Sequence, residues 1–152
     1  MPELPEVETV ARGLRDPLVG RTITGVLVGW PRTIALPEPG EFGARIVGRR
    51  VEAVWRRGKY VVMDLDRGHL LIHLKMSGRL LLAPATEPLD GYTHTVFDLD
   101  NGQQLRFRDV RKFGRVYLVE SPEEVTERLG PEPLGETFTL AEFRQLLARR
   151  TG

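Results

Sequence analysis

The sequence contains no cysteine, which excludes disulfide bonds and any thiolate zinc site within this chain. It has no apolar run long enough to span a bilayer and no secretory signal, so we expect a cytoplasmic protein without membrane contact. His69 and His73 have no acidic or cysteine partners at ligand spacing, so we predict no metal site. The net charge is only +1, which is weak for a nucleic-acid-binding protein.

The charged residues are unevenly distributed. Residues 1–8 carry three carboxylates and no cationic side chain, whereas 45–59 and 106–115 together hold half of the arginines and lysines. This pattern is compatible with a basic face opposite an acidic one, although a mixed solvated surface explains the charge alone equally well. At 152 residues, with 41% hydrophobic and 28% charged residues, the chain has the length and composition of one globular domain.

Hydrophobic periodicity predicts one helix followed by many short strands. From Pro5 to about Leu18, apolar residues recur at i, i+3, i+7 and i+11, as in an amphipathic helix that Pro17 and Gly20 end. Residues 31–43 are rich in proline and glycine and are predicted to form a loop. The predicted strands cover 22–28, 51–57, 60–65, 69–74, 79–82, 93–99, 103–109 and 113–119.

These strands are separated by tight turns, and Asn101-Gly102 between two of them is the strongest hairpin signal. The pattern indicates an α+β, mostly β fold, namely a two-layer antiparallel β-sandwich with an N-terminal helix and C-terminal helices. Capping boxes at 121–124 and 139–142 begin the two C-terminal helices, and Gly130 stops the first of them. We therefore predict a domain over 1–130, a linker over 131–138 and a separate helix over 139–152.

The first residues offer an unusual nucleophile. If Met1 is removed, the ring nitrogen of Pro2 is a free secondary amine, which can attack a sugar aldehyde carbon and form an iminium ion. The dipole of the following helix lowers the pKa of that amine, and Glu3 with Glu6 forms a carboxylate pair in which one group stays protonated as a general acid. On Pro2 alone, a solvated N-terminus is the commoner interpretation.

The opening string Met-Pro-Glu-Leu-Pro-Glu-Val-Glu-Thr-Val resembles the start of the formamidopyrimidine-DNA glycosylase family of base-excision repair enzymes. The resemblance implies that Pro2 is the nucleophile and Glu3 the acid. It also implies a bifunctional DNA glycosylase and AP lyase that removes oxidised purines (8-oxoguanine and formamidopyrimidines) through a Schiff base and β,δ-elimination. The implied partner is damaged double-stranded DNA, bound by a bacterial, nucleoid-associated monomer. Leu4 favours this branch over the endonuclease-eight branch, where glycine is typical.

Other motifs extend the resemblance. Arg-Arg-Gly-Lys-Tyr is similar to the family's hairpin, which implies that Lys59 is a catalytic residue contacting DNA phosphate. His-Leu-X-Met-Ser-Gly and Asp-X-Arg-X-Phe-Gly imply that Met76, Arg111 and Phe113 fill the gap left by an extruded base. Lys75 replaces the more usual glycine, which we expect a solvent-facing position to tolerate. His94 resembles a histidine that touches the DNA backbone.

The resemblance covers essentially the whole chain but only the first part of the family. Full-length members continue into a helix-two-turn-helix domain and a four-cysteine zinc finger. We therefore expect a fragment with weak or no activity alone, whose 139–152 helix begins a truncated DNA-binding domain, and no cofactor in this chain. Alternatives are a non-catalytic damaged-DNA-binding fragment, an endonuclease-eight-type glycosylase for oxidised pyrimidines, and an unrelated β-sandwich interaction module.

Overall fold

The computed structural model of the protein describes residues 4–75 and 77–126. Its helices are α1 (Leu4–Leu18), α2 (Pro39–Ile46) and α3 (Glu123–Thr126), with a short 3₁₀ turn at Pro31–Thr33. Its strands are β1 (Ile23–Val28), β2 (Ile34–Leu36), β3 (Val51–Arg57), β4 (Tyr60–Leu65), β5 (His69–His73), β6 (Gly78–Pro84), β7 (Thr93–Leu99), β8 (Gln103–Asp109) and β9 (Arg115–Val119). None of these helices is long and apolar enough to cross a membrane.

The strands form two sheets, as the sequence predicts. The four-stranded sheet has the order β1-β7-β8-β6, and the five-stranded sheet has the order β2-β9-β5-β4-β3. Neighbouring strands are antiparallel except for β2 and β9, which pair in parallel through Ile34 with Val116 and Leu36 with Tyr117. The mostly β, two-layer fold is therefore confirmed, with one parallel pair at the edge of the larger sheet.

The main hydrophobic core contains side chains of both sheets and of the two longer helices. The four-stranded sheet contributes the fully buried side chains of Phe97 and Phe107, and the five-stranded sheet contributes that of Ile72. Phe42 of α2 packs its ring against Phe97 with the centroids 6.1 Å apart, so α2 closes part of this core. Burial of such large apolar side chains supplies the main driving force for the sandwich.

The five-stranded sheet is also covered on its second face. Alternate residues of β4 separate into two clusters, with Val61 and Met63 in the main core and Tyr60 and Val62 in the smaller cluster. Val125 of α3 packs into the smaller cluster and is fully buried. Because β4 is buried on both faces, it appears in the sequence as a continuous apolar run rather than a strict alternation.

The prediction of a loop over residues 31–43 is wrong. Pro31 and Pro39 each occupy the first positions of a helical turn, where the missing N–H of proline costs no hydrogen bond. Between them, β2 pairs with β9, a partner about eighty residues away in the sequence. Proline therefore begins two helical turns in this segment. The sequence prediction had treated proline only as a residue that ends helices and strands.

Helix α1 follows the prediction closely, with Val7, Leu14 and Leu18 buried. Pro17 lies inside its last turn rather than beyond its end. Strand β9 begins at Arg115, two residues later than predicted, which leaves Phe113 in the preceding loop. At the start of α3, the Glu124 carboxylate accepts a hydrogen bond from the Ser121 N–H at 2.8 Å, as expected for a capping box. The predicted linker and final helix lie outside the described residues.

Candidate active site and nucleic-acid interface

A cleft of 590 Å³ opens beside the first turn of α1. Glu6 and Val10 of α1 form one wall, and the opposite walls come from the loop between β5 and β6 (residues 74–77), from β6, and from the end of β8. The other lining residues are Leu74, Ser77, Gly78, Arg79, Leu80, Leu81, Arg108 and Val110. Val10, which the periodicity assigns to the core face, is only partly buried because it lines this cleft. The volume is in the range of pockets that hold a small organic group.

The β5–β6 loop is held in a tight conformation. The N–H of Gly78 donates to the Leu74 carbonyl at 2.8 Å, and a Cβ at position 78 would lie 2.4 Å from that same oxygen. Lys75 has a φ of 54°, in the left-handed region that favours glycine. Lys75 is half-buried and adopts a backbone conformation that glycine accommodates more easily. Solvent exposure alone therefore does not explain a lysine at this position.

The loop between β8 and β9 (residues 110–114) is organised by one buried carboxylate. Asp109 is fully buried and accepts hydrogen bonds from the N–H groups of Arg111, at 3.1 Å, and Gly114, at 2.6 Å. A Cβ at position 114 would lie 2.3 Å from the ring of Phe107, so only glycine fits there. As a result, Arg111 and Phe113 lie in a fixed, exposed turn, and Phe113 is 46% exposed.

The same carboxylate joins the two loops. The Ser77 hydroxyl donates to Asp109 with 2.5 Å between the oxygens, and it accepts from the Arg111 N–H at 3.2 Å. Ser77 follows Met76 directly in the chain. The structure therefore connects the segment that contains Met76 with the loop that carries Arg111 and Phe113.

The turn between β3 and β4 is a two-residue hairpin made of Gly58 and Lys59. Gly58 has a φ of 59°, as the first position of a type II′ turn requires. Arg56 donates from Nη1 to the Gly58 carbonyl at 3.0 Å and from Nε to the Glu8 carboxylate at 3.1 Å. Lys59 is thus presented on a hairpin tip, as predicted, and an ion pair ties the adjoining strand to α1.

Comparison with known proteins identifies the family. The family model of the formamidopyrimidine-DNA glycosylase N-terminal domain matches residues 1–116. The chain belongs to the formamidopyrimidine-DNA glycosylase family. It is 47% identical to the formamidopyrimidine-DNA glycosylase of Herpetosiphon aurantiacus over 99% of this chain and 56% of the relative, and 44% identical to that of Bacillus subtilis over 98% and 56%.

Solved structures give the same result for the fold. A structure of the Lactococcus lactis glycosylase in complex with DNA containing a formamidopyrimidine lesion is similar with a TM-score of 0.75 and 34% identity. That similarity covers 80% of this chain and 45% of the Lactococcus chain. The present chain spans about half the length of the relatives that it matches.

Within this glycosylase-family chain, His73 is a further candidate site residue, which the sequence analysis did not predict. It is buried at the end of β5, where its Nδ1 accepts a hydrogen bond from the Lys75 N–H at 3.0 Å, so the neutral ring carries its proton on Nε2. Burial, followed by the positive charges of Lys75 and Lys59, lowers the pKa of His73 to about 3. In the sequence, His73 is visible only as a histidine in an otherwise apolar strand. Its neutral state could be inferred only once its burial was known.

The Nε2 atom of His73 is buried and has no hydrogen-bond partner among the residues that the structure describes. A buried, unpaired donor is unfavourable, so the position suits a group that brings an acceptor. The Lys59 charge acts on this ring. The candidate site therefore contains a hairpin lysine and, on the neighbouring strand pair, a neutral histidine donor.

His94 has a structural contact. It is 4% exposed, and its Nε2 lies 2.7 Å from the Asp109 carbonyl oxygen, where the protonated nitrogen donates. It therefore supports the start of the β8–β9 loop, and a direct contact with the DNA backbone stays a prediction. Pro2, Glu3 and Met76, also predicted as site residues, lie outside the described residues. Helix α1 begins two residues after Pro2 in the chain. Among the described residues, no group of histidines and carboxylates could hold a metal ion.

Proposed function

We propose that this chain carries the chemical part of a base-excision DNA glycosylase and AP lyase acting on oxidised purines. The observation that supports this most is the shared cleft, where the first turn of α1 faces the β5–β6 loop and the end of β8. The N-terminal amine of Pro2 and the Glu3 carboxyl precede that turn directly in the chain. An enzyme that acts on a base within a duplex must extrude the nucleotide into such a pocket.

The two linked loops support base extrusion. Phe113 is a large apolar ring held exposed on a turn whose backbone Asp109 fixes. An apolar ring in that position can replace a base in the stack, while the nearby Arg111 guanidinium hydrogen-bonds the orphaned partner base. We propose Met76 as the third member of this set, because Ser77 beside it is bonded to the same carboxylate.

In the proposed reaction, the neutral amine of Pro2 adds to C1′ of the flipped nucleotide, and the bond from C1′ to the base breaks. The base leaves with the bonding electrons and takes up the proton that the amine loses. Glu3 gives its proton to the ring oxygen as the C1′–O4′ bond opens, and the nitrogen lone pair forms the C1′ iminium ion. Loss of a C2′ proton then expels the 3′ phosphate, and a second elimination expels the 5′ phosphate.

Lys59 and His73 are proposed to act on phosphate. Lys59 stands on the hairpin tip as a positive point charge, and the neutral His73 offers its Nε2–H. Both groups are donors, and together they suit an anionic oxygen beside the reacting sugar. Because Glu8 and Arg56 tie the hairpin strand to α1, the lysine keeps its position relative to the helix that follows Pro2.

Oxidised purines are the preferred substrate class because the chain matches glycosylases that are named for formamidopyrimidine. One solved structure of the Lactococcus protein contains DNA with an oxidised pyrimidine, so an endonuclease-eight-like range is the second candidate. We propose a monomer that binds damaged duplex DNA in the bacterial cytoplasm and holds no cofactor in this half. Because the relatives are about twice as long, weak activity is expected from this chain alone.

Borohydride trapping on a duplex containing 8-oxoguanine tests the proposal. Only an iminium ion is reduced to a permanent protein–DNA crosslink, and a single turnover suffices. We expect a crosslink with the chain from which Met1 has been removed, as verified by intact mass. The matched control is the same chain with Met1 retained, in which the Pro2 nitrogen is an amide. Equal crosslinking of both forms, or none of the processed form despite duplex binding, would contradict the proposed chemistry.

A further inference from the structure

A tryptophan on the loop after β1 lies beneath two cationic side chains. Lys112 Nζ is 5.2 Å from the centroid of the Trp30 ring, and Arg115 Cζ is 5.8 Å from it. Both distances are within the range of cation–π attraction. The Trp30 backbone N–H and that of Gly29 donate to the His94 carbonyl, which fixes the loop against β7. Trp30 is therefore a platform that holds two positive charges on one side of the molecule.

Arg32 adds a third positive charge beside this platform. It is exposed on the 3₁₀ turn Pro31–Thr33, which begins directly after Trp30. Burial lowers the pKa of Arg115, and the positive charge of Arg32 also lowers it, which agrees with this placement. Asp109 is the acidic group that acts in the opposite direction, but its carboxylate already accepts the hydrogen bonds of the β8–β9 loop. Within residues 4–75 and 77–126, neither Arg32 nor Lys112 forms an ion pair.

The platform has a defined geometry. Arg115 donates from Nη1 to the carbonyls of Lys112, at 2.9 Å, and Gly114, at 2.8 Å, which closes the end of the β8–β9 loop. Lys112 has a φ of 63°, an uncommon conformation for a residue with a side chain. The loop therefore fixes the Lys112 backbone, and the ammonium group rests on the Trp30 ring.

We infer that Trp30, Arg32, Lys112 and Arg115 form a binding surface for the backbone phosphates of duplex DNA. The surface, hereafter the Trp30 surface, includes none of the residues that line the cleft and none of the Lys59 hairpin. It is continuous with the base-replacing loop, because Lys112 lies between Arg111 and Phe113 in the chain. Phosphate is the fitting ligand because clustered cations repel each other until an anion neutralises them. This inference rests on the proposed function, since it places the duplex against that loop.

The test measures binding of an undamaged duplex, which requires no chemistry. Arg32→Ala and Lys112→Ala are combined, because both side chains are exposed and neither variant disturbs the core. The matched control is Arg45→Ala with Arg67→Ala, which removes the same charge from exposed positions on α2 and on the β4–β5 turn. If each cation contacts one phosphate, the slope of log K against log salt falls by about two in the double variant and not in the control.

A fluorescence measurement locates the contact. In a Trp55→Phe background, Trp30 is the remaining tryptophan, and we expect duplex binding to change its emission. The emission change is expected to disappear in the Arg32→Ala, Lys112→Ala variant. Three results would each overturn the inference. They are an unchanged salt slope in that variant, no change in Trp30 emission on binding, and no duplex binding by the parent chain.

The two proposals can fail separately. Borohydride trapping with an unchanged salt slope would support the proposed enzyme chemistry and contradict phosphate binding at the Trp30 surface. A reduced salt slope with no trapping by the processed chain would support phosphate binding at the Trp30 surface and contradict Pro2 as the nucleophile.

Discussion

Ser77 donates its hydroxyl hydrogen to the buried carboxylate of Asp109, and the two oxygens are 2.5 Å apart. This bond spans 32 residues and joins the segment that contains Met76 to the turn that carries Arg111 and Phe113. Two loops that are remote in the chain therefore share one anchor. The turn that carries Arg111 and Phe113 depends on the Asp109 carboxylate for its conformation.

Ser77→Ala is expected to weaken duplex binding and to lower the free energy of unfolding by about 1–3 kcal/mol, since Asp109 loses a hydrogen-bond donor. Chemical denaturation gives the stability, and titration with a duplex containing an abasic site gives the affinity. Ser121→Ala is the control, because it removes a hydroxyl at the start of α3, which is not part of the cleft. Equal losses of affinity in both variants would argue against a special role for the link.

Gly114→Ala tests the close approach behind Phe113. The added Cβ would lie 2.3 Å from the Phe107 ring and 3.0 Å from an Asp109 carboxylate oxygen, so the loop must shift. We expect the free energy of unfolding to fall by about 1–3 kcal/mol, as for other overpacked sites. Gly91→Ala is the control, since a Cβ there meets no atom within 4 Å. A denaturation midpoint for Gly114→Ala that matches this control would show that the loop accommodates the added methyl group without loss of stability.

His73 makes the stability of the fold depend on pH. Burial lowers the pKa of this histidine from 6.5 to about 3, so the unfolded chain binds its proton more readily than the folded one. The stabilisation from the neutral ring is therefore fully present above about pH 6.5, and it is lost progressively as the pH falls toward 3.

His73→Gln keeps an acceptor for the Lys75 N–H but does not titrate. Its free energy of unfolding, measured by urea denaturation at several pH values, is expected to fall less steeply between pH 6.5 and 3 than that of the parent. Gln103→Asn, at a half-buried position on β8, changes no titratable group and should keep the parent slope. A parent-like slope for His73→Gln would mean that the folded state accepts a proton on this ring.

The ion pair between Glu8 and Arg56 is expected to matter for function more than for stability. Arg56, followed by Arg12, lowers the pKa of Glu8, but the carboxylate is exposed enough for solvent to screen the pair. Glu8→Gln should lower the affinity for an abasic-site duplex about two- to fivefold, because the Lys59 hairpin loses its tie to α1. Glu41→Gln removes a surface pair with Arg45 and should leave the affinity unchanged.

Local signals in the sequence were sufficient for the hairpins. Gly58-Lys59 and Asn101-Gly102 each set their turn within a few residues, and the strands beside them were predicted within one or two residues. The parallel pairing of β2 with β9 was not predictable in this way, because a three-residue strand carries little signal and its partner is remote. The exposed position of Phe113 likewise depends on Asp109 holding the Gly114 N–H.

The candidate site shows the same division. Motifs predicted Lys59 on a hairpin and Phe113 in an exposed loop; the structure shows both placements, and their roles stay predictions. The neutral state of His73 could not be predicted, because the pKa of a buried group depends on neighbours that only the fold assembles. The structural contact of His94 with the Asp109 carbonyl depends in the same way on pairing between β7 and β8.

We propose that the amine of Pro2, which directly precedes the cleft-lining helix α1 in the chain, is the nucleophile. The most direct measurement is to trap the processed chain on an 8-oxoguanine duplex with borohydride, digest the product, and map the crosslinked peptide by tandem mass spectrometry. We expect the sugar remnant on the nitrogen of Pro2 in the N-terminal peptide. A remnant on the side chain of Lys59, or on any other lysine, would contradict it.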